Sequence, residues 1–289
     1  MLNEFKVNHI IVPTDFSETA YVAIDHAVEL ANKFGSSITL LHVLESGAYS
    51  GMFAPSSKTE YVELEQAQEK LQEEGAKLEK ETGISVSQKV GNGRIYDEVV
   101  EAIREYDADL VVMGTHGSSG WAEFFLGSNA FRVVTQSPVP VITIQPGITK
   151  AGFKNIILPI DDSAETRQKV RYAAALAKKY GSTIHVGALL TDDEKEVHFK
   201  FEIIIKQIAE YLDRENIAHT KTILTGSNLA TMTMNFSETK KGDLIAIMTE
   251  QEGDLTGFLM GPVAQQIVNH SKIPVLSISP EEGAGFTLN

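Results

Sequence analysis

Residues 111–128 read VVMGTHGSSGWAEFFLGS. The apolar run Leu110, Val111, Val112 and Met113 stops at Gly114, a loop carrying Gly117, Gly120 and Gly127 follows, and residues 129–136 have helical spacing. A strand, a glycine-rich loop and a helix start are expected in that order. Glycines permit positive φ and close approach of backbone to a ligand, and the first amides of a helix are unpaired donors that favour negative charge. Phosphate binding is the chemistry this suits. A glycine-rich surface turn has the same spacing, and glycines alone do not separate the two.

Upstream of this stretch, residues 9–13 form a short apolar run ended by Pro13, Thr14 and Asp15, which reads as a buried strand. Ser17 can cap a helix in which Ala20, Ala23, Ile24, Ala27, Leu30, Ala31 and Phe34 recur at helical intervals, with Gly35 as its stop. A second strand is expected over 37–43, then a small and polar loop over 45–58. A charged amphipathic helix over 60–82 has Leu64, Ala67, Leu71 and Leu78 facing inward. A strand over 84–90, a Gly91-Asn92-Gly93 turn and a helix over 95–106 lead into the opening stretch, and a last strand spans 139–144. Strands alternating with helices of this length imply crossover connections and a parallel sheet covered on both faces. The first domain is expected over 1–146, with Pro146-Gly147 and Thr149-Lys150 in a linker.

The rest of the chain repeats the first half. Sliding residues 9–43 by 146 positions gives 12 identities in 35 without a gap, among them Pro13 with Pro159, Asp15 with Asp161, Ser17 with Ser163 and Gly35 with Gly181. From Asp109 onward the offset is 134, pairing Gly127 with Gly261 and Pro140 with Pro274. The second copy is therefore 12 residues shorter in between, and the 45–58 loop is the simplest place for the loss. A second domain is expected over 151–280, and the Gly- and Glu-bearing tail over 281–289 is expected to be flexible.

Composition narrows the partners. With 43% hydrophobic and 22% charged residues the chain has the makeup of a soluble globular protein. Its 39 acidic against 25 basic residues, a net charge of −14, repel a phosphate backbone and argue against nucleic acid. The absence of cysteine removes disulfides, thiolate metal sites and cysteine nucleophiles. No run approaches the roughly 20 apolar residues that span a bilayer, so no membrane partner is expected and cytoplasm is the default compartment. The eight histidines show no metal-ligand spacing.

With the repeat in view, the chain resembles a tandem universal stress protein, two UspA-like domains in one polypeptide. Nucleotide-binding members of that family carry Gly, two residues, Gly, nine residues, Gly, then Ser or Thr. Gly114, Gly117, Gly127 and Ser128 fit that spacing, and Pro13-Thr14-Asp15 follows the first strand in the right order. The resemblance implies an α/β fold: two tandem doubly wound domains, each a five-stranded parallel sheet in the order 3-2-1-4-5 flanked by helices. It implies an adenine nucleotide, ATP or AMP or ADP, at the carboxyl ends of strands 1 and 4, where the strand order reverses. Asp15 would meet the ribose or the adenine edge, with Pro13, Thr14 and Val43 lining the base pocket and Met113 also among the nucleotide-binding residues. Gly114, His116, Gly117, Gly127, Ser128 and Asn129 would hold the phosphates. A magnesium ion could bridge phosphate oxygens, although no acidic cluster in the loop argues for a dedicated metal site. In single-domain relatives the last strands pair between subunits, so an intrachain pseudo-dimer is expected here, with a homodimer as a further possibility.

Plainer roles stand beside these. Asp15 can cap the following helix, His116 can be an exposed loop residue, and Trp121, Phe124 and Phe125 suit packing of the loop better than stacking on a base. In the second copy Gly114 becomes Met248, Gly117 becomes Gln251 and Ser128 becomes Pro262, while Glu250, Glu252 and Asp254 add negative charge. This half is expected to have lost nucleotide binding. The function expected is a nucleotide sensor or regulatory binding module of the stress response, with no catalytic residues. The alternatives are a slow ATPase or autokinase at the same site and a nucleotide-independent scaffold. Neither a Walker lysine nor a G-x-G-x-x-G after the first strand is present.

Overall fold

Each strand–helix unit is written twice, and the repeat extends to individual hydrogen bonds. The computed structural model of the chain describes residues 5–44, 58–115, 127–148, 151–163, 165–191, 195–249 and 260–281. The chain divides into two compact units, Val7–Ala151 and the remainder from residue 152, with which Phe5 and Lys6 associate.

In the first unit the order is β1 (His9–Pro13), α1 (Glu18–Phe34), β2 (Ser37–Leu44), α2 (Lys58–Thr82), β3 (Val86–Asn92), α3 (Ile95–Glu105), β4 (Leu110–Gly114), α4 (Ser128–Gln136) and β5 (Val141–Ile144). All pairings are parallel and the strands lie in the order β3-β2-β1-β4-β5. The central strands are apolar and solidly buried, as expected of a sheet covered on both faces, whereas β3 at the edge is only partly buried. Ser17 caps α1 by accepting from the Ala20 amide, and Gly35 ends it at φ 78°, a conformation without penalty for glycine. Leu30, Ala27 and Ala23 on its inner face are fully buried. On α2, Ala67 and Leu71 are buried, while Leu64 and Leu78 are half-buried.

Two strand starts fall later than the sequence expectation, each for a local reason, and β3 runs on through Gly91 and Asn92, where the sequence predicts a turn. The Thr82 hydroxyl accepts from the Ile84 amide, forming a turn that delays β3 to Val86. The Ser137 hydroxyl donates to the Val139 carbonyl and its oxygen accepts from the Val139 amide, so β5 begins at Val141. The expectations for the 45–58 loop over residues 45–57 and for the tail over 282–289 lie outside the described residues.

The second unit runs β6 (Asn155–Ile160), α5 (Val170–Tyr180), β7 (Thr183–Leu190), α6 (Lys195–Arg214), β8 (His219–Thr225), α7 (Leu229–Lys240), β9 (Leu244–Met248), α8 (Pro262–His270) and β10 (Val275–Ile278). Its order, β8-β7-β6-β9-β10, is again 3-2-1-4-5 with parallel pairs. Asp109 accepts from the amides of Asn8 and His9, tying the start of β4 to that of β1. Asp243 does the same with Lys154 and Asn155 for β9 and β6. Ser36 Oγ donates to the Val7 carbonyl and Ser182 Oγ to that of Phe153, both at 2.5 Å. Besides the shorter connection into α6, the copies part at the start of the first helix. Where α1 starts directly after its cap, the second unit has a short 3-10 turn, Glu165–Arg167, and its helix begins only at Val170.

Candidate functional site

The carboxyl ends of β1 and β4 are adjacent because Ile10 stands opposite Leu110 and Ile11 opposite Val111, so both strands run out together at Pro13 and Gly114. Beyond Pro13 the backbone turns through a chain of side-chain bonds. The Thr14 hydroxyl accepts from the Phe16 amide, the Asp15 carboxylate from the Ser17 amide at 3.0 Å, and the Ser17 hydroxyl from the Ala20 amide. Phe16 takes a left-handed conformation, φ 62°, that these bonds compensate. The capping role considered for Asp15 falls to Ser17, and Asp15 instead holds the turn that leads into the cap. The Thr14 amide continues the sheet by donating to the Leu41 carbonyl.

Past β4, Thr115 is buried and its hydroxyl and amide both donate to the Ile144 carbonyl. The Gly127 amide donates to the Thr115 carbonyl at 3.0 Å, which joins the end of β4 to the start of α4. A Cβ at Gly127 would lie 3.1 Å from that same carbonyl oxygen. Its φ of −56° is open to any residue, so close approach is the reason for glycine, and Gly261 repeats the conformation in the other copy at φ −58°. Gly127 offers no side chain to the first turn of α4, where Ser128 is exposed. Gly114 faces the first turn of α1: a Cβ there would sit 2.9 Å from Thr19 Cγ2. Two of the three signature glycines therefore have packing reasons as well as a ligand reading.

The structure thus brings Pro13, Thr14, Asp15, Met113, Gly114, Gly127, Ser128 and Asn129 to one end of the sheet, with Val43 near the end of the neighbouring strand. His116, Gly117, Trp121, Phe124 and Phe125 lie outside the described residues. Sequence reasoning missed four neighbours. Thr115 closes the loop. Phe16 packs against His42, ring centroids 4.7 Å apart and planes tilted by 33°, with Lys70 Nζ 4.0 Å from the centre of the Phe16 ring. His42 Nδ1 lies 2.8 Å from the Thr14 carbonyl, which can only accept, so that nitrogen carries the proton and braces the turn. Comparison of the copies could have flagged this group, since Phe16, His42 and Lys70 align with Asp162, Ala188 and Ile204.

At the corresponding end of the second unit, Thr249 again bonds the Ile278 carbonyl. Pro262 occupies the first turn of α8 where α4 has Ser128, removing one amide donor. Asp161 accepts from both the amide and the hydroxyl of Ser163. Burial works to raise its carboxyl, but the Lys169 ammonium and the bonds from Ser163 and Thr166 outweigh that and hold it below the usual carboxylate range. Among the described residues there is no group of three or more His, Asp or Glu that could hold a metal ion, and no helix long and apolar enough to cross a membrane.

Comparison with known proteins agrees with the architecture. The model of the universal stress protein family matches residues 6–145 and again 152–279. Universal stress protein MJ0531 of Methanocaldococcus jannaschii is 32% identical over 138 residues, 47% of this chain and 81% of that protein. Universal stress protein MJ0577 of the same organism is 27% identical over 152 residues, 47% of this chain and 93% of that protein. The crystal structure of a universal stress protein from Archaeoglobus fulgidus superposes with a TM-score of 0.78, covering 95% of this chain and 99% of that one, and at 19% identity this likeness speaks to the fold. With both halves matched by the family model, the chain belongs to the universal stress protein family.

Proposed function

We propose that the first unit binds one adenine nucleotide at the ends of β1 and β4 and acts as a nucleotide-responsive module in the stress response, in the cytoplasm. The observation that carries this reading is the meeting of three features at one sheet end: the Asp15 turn, the side-chain-free Gly114, and the Gly127 closure that starts α4 without a capping side chain. A carboxylate suits ribose hydroxyls, and the amides of a helix N-terminus beside glycines suit phosphate oxygens. Pro13, Thr14, Val43 and Met113 would line the base, and Gly114, His116, Gly117, Gly127, Ser128 and Asn129 would hold the phosphates, with any magnesium carried by the nucleotide. The second unit has Met248, Gln251 and Pro262 at the equivalent positions and is assigned no nucleotide.

Native mass spectrometry of the purified protein, followed by titration with ATP, ADP and AMP, tests this. One nucleotide per chain is expected, and saturation at 100 times the dissociation constant should stabilise the first unit by about 2.7 kcal/mol. Two equivalent sites per chain, or no rise in melting temperature at millimolar nucleotide, would refute it.

A further inference from the structure

The second unit holds a buried cation that its sibling lacks. Lys169 is only 2% exposed, although lysine is among the residues most rarely buried without a partner. Its Nζ donates to the Thr166 hydroxyl at 3.0 Å, and the Asp161 amide donates to that same oxygen at 3.2 Å. Ser163 Oγ donates to the Asp161 carboxylate at 2.5 Å. Lys169, Thr166, Asp161 and Ser163 therefore form one polar chain at the carboxyl end of β6. In the first unit Thr166 and Lys169 align with Ala20 and Ala23, buried alanines on α1, so nothing equivalent stands beside Asp15 from those positions.

The backbone is remodelled around this lysine. The 3-10 turn and the late start of α5 carry Thr166 under Asp161 and Lys169 inward, whereas an α-helix beginning at the cap would put both on the apolar face used by Ala20 and Ala23. The adjoining residues are fastened too. Gln168 Nε2 donates to the Glu281 carbonyl, the Glu281 amide donates to Gln168 Oε1, and Arg171 Nη2 and the Tyr172 hydroxyl bond the Glu281 carboxylate.

We infer that the second unit is self-liganded: the crevice at Asp161 is a primary-ammonium site whose occupant is the chain's own Lys169. The unit accordingly holds its fold with no soluble ligand. Removing the side chain beyond Cβ leaves a cavity shaped for three methylenes and an ammonium beside Asp161, Ser163 and Thr166. The assignment stands on the second unit alone and is independent of nucleotide binding by the first.

The test uses the full chain with Lys169→Ala and n-propylammonium chloride, the fragment that the substitution deletes. Unfolding of residues 155–190 is followed by hydrogen exchange on heating, with sodium chloride at matched ionic strength as control. The substitution should lower the midpoint by roughly 10 °C, since it strands a carboxylate among buried groups. The added n-propylammonium should recover several degrees in Lys169→Ala and none in the parent or in Lys169→Ala/Asp161→Asn. Recovery equal in all three proteins, or none in Lys169→Ala beyond the salt control, would overturn the inference. Should Lys169→Ala not fold, Lys169→Met decides. Adding Asp161→Asn should then raise its midpoint, and a further fall would overturn the inference.

Discussion

Gly114 is the residue on which packing and ligand explanations compete most directly, and Gly114→Ala separates them. The new Cβ would come within 2.9 Å of Thr19 Cγ2, closer than carbon atoms tolerate, with Thr19 Cβ at 3.4 Å and the Thr19 carbonyl carbon at 3.5 Å behind it. One contact among three is thus intolerable and the others are ordinary. Overpacking of this kind costs about 1–3 kcal/mol. Thr19→Ser deletes Cγ2 alone and makes 3.4 Å the nearest approach, so in that background the cost of Gly114→Ala should fall below about 1 kcal/mol. Urea unfolding followed by the fluorescence of Trp121, the single tryptophan and a residue of the first unit, measures all four corners of the cycle. Equal costs of Gly114→Ala with Thr19 and with Ser at that position would refute the packing account. Nucleotide titration of the Thr19→Ser/Gly114→Ala protein then reads the second role. Full stability with weakened binding assigns Gly114 to both, and unchanged binding would leave it a packing residue alone.

Three other outcomes are expected. Burial holds the His26 imidazole down to about 4 from 6.5; above pH 7 both folded and unfolded states are neutral there, while between 6.5 and 4 the unfolded chain takes the proton first. The first unit should therefore lose about 3 kcal/mol across that window, and a urea series on His26→Gln should show a correspondingly shallower slope, an equal slope counting against it. Asp109→Ala frees the Asn8 and His9 amides and should cost about 2 kcal/mol, raising hydrogen exchange in β1 and β4 while leaving β6 and β9 unchanged. Phe16→Leu and Lys70→Met should show a coupling of about 0.5–1 kcal/mol in a double-mutant cycle, and additivity would dismiss the cation–ring contact.

Much of this architecture is legible from spacing because it is local. The Ser17 cap, the Gly35 stop and the buried run of β4 are each decided within one turn or one strand, and the structure has all three. The site is less legible because its contacts join residues far apart in the chain. Nothing near Gly114 in sequence announces Thr19, and a glycine kept for a neighbouring methyl looks the same as one kept for a phosphate. Gly127 illustrates the point from the other side. It is the signature glycine that the second copy keeps, as Gly261, although that copy has Pro262 next to it. The close approach of the Thr115 carbonyl, 3.1 Å from where a Cβ would stand at Gly127, accounts for a glycine there without any ligand.

Comparison of the copies has to weigh gains as well as losses. On the loop alone, the second half reads as a decayed site in which Met248, Gln251 and Pro262 replace small or donating residues. Decay predicts disorder of chemistry, with Asp161 left as an unmatched carboxylate under a collapsing turn, which burial would penalise. The structure instead supplies Thr166, Ser163 and Lys169 around that carboxylate and rebuilds the start of the helix to deliver them. In sequence this shows as Thr166 and Lys169, just ahead of α5, at the positions where the first copy has Ala20 and Ala23. A charged residue at a position that its own repeat reserves for a buried alanine is therefore the signal to follow, and here it marks the one copy that carries a buried ammonium beside its strand-end aspartate.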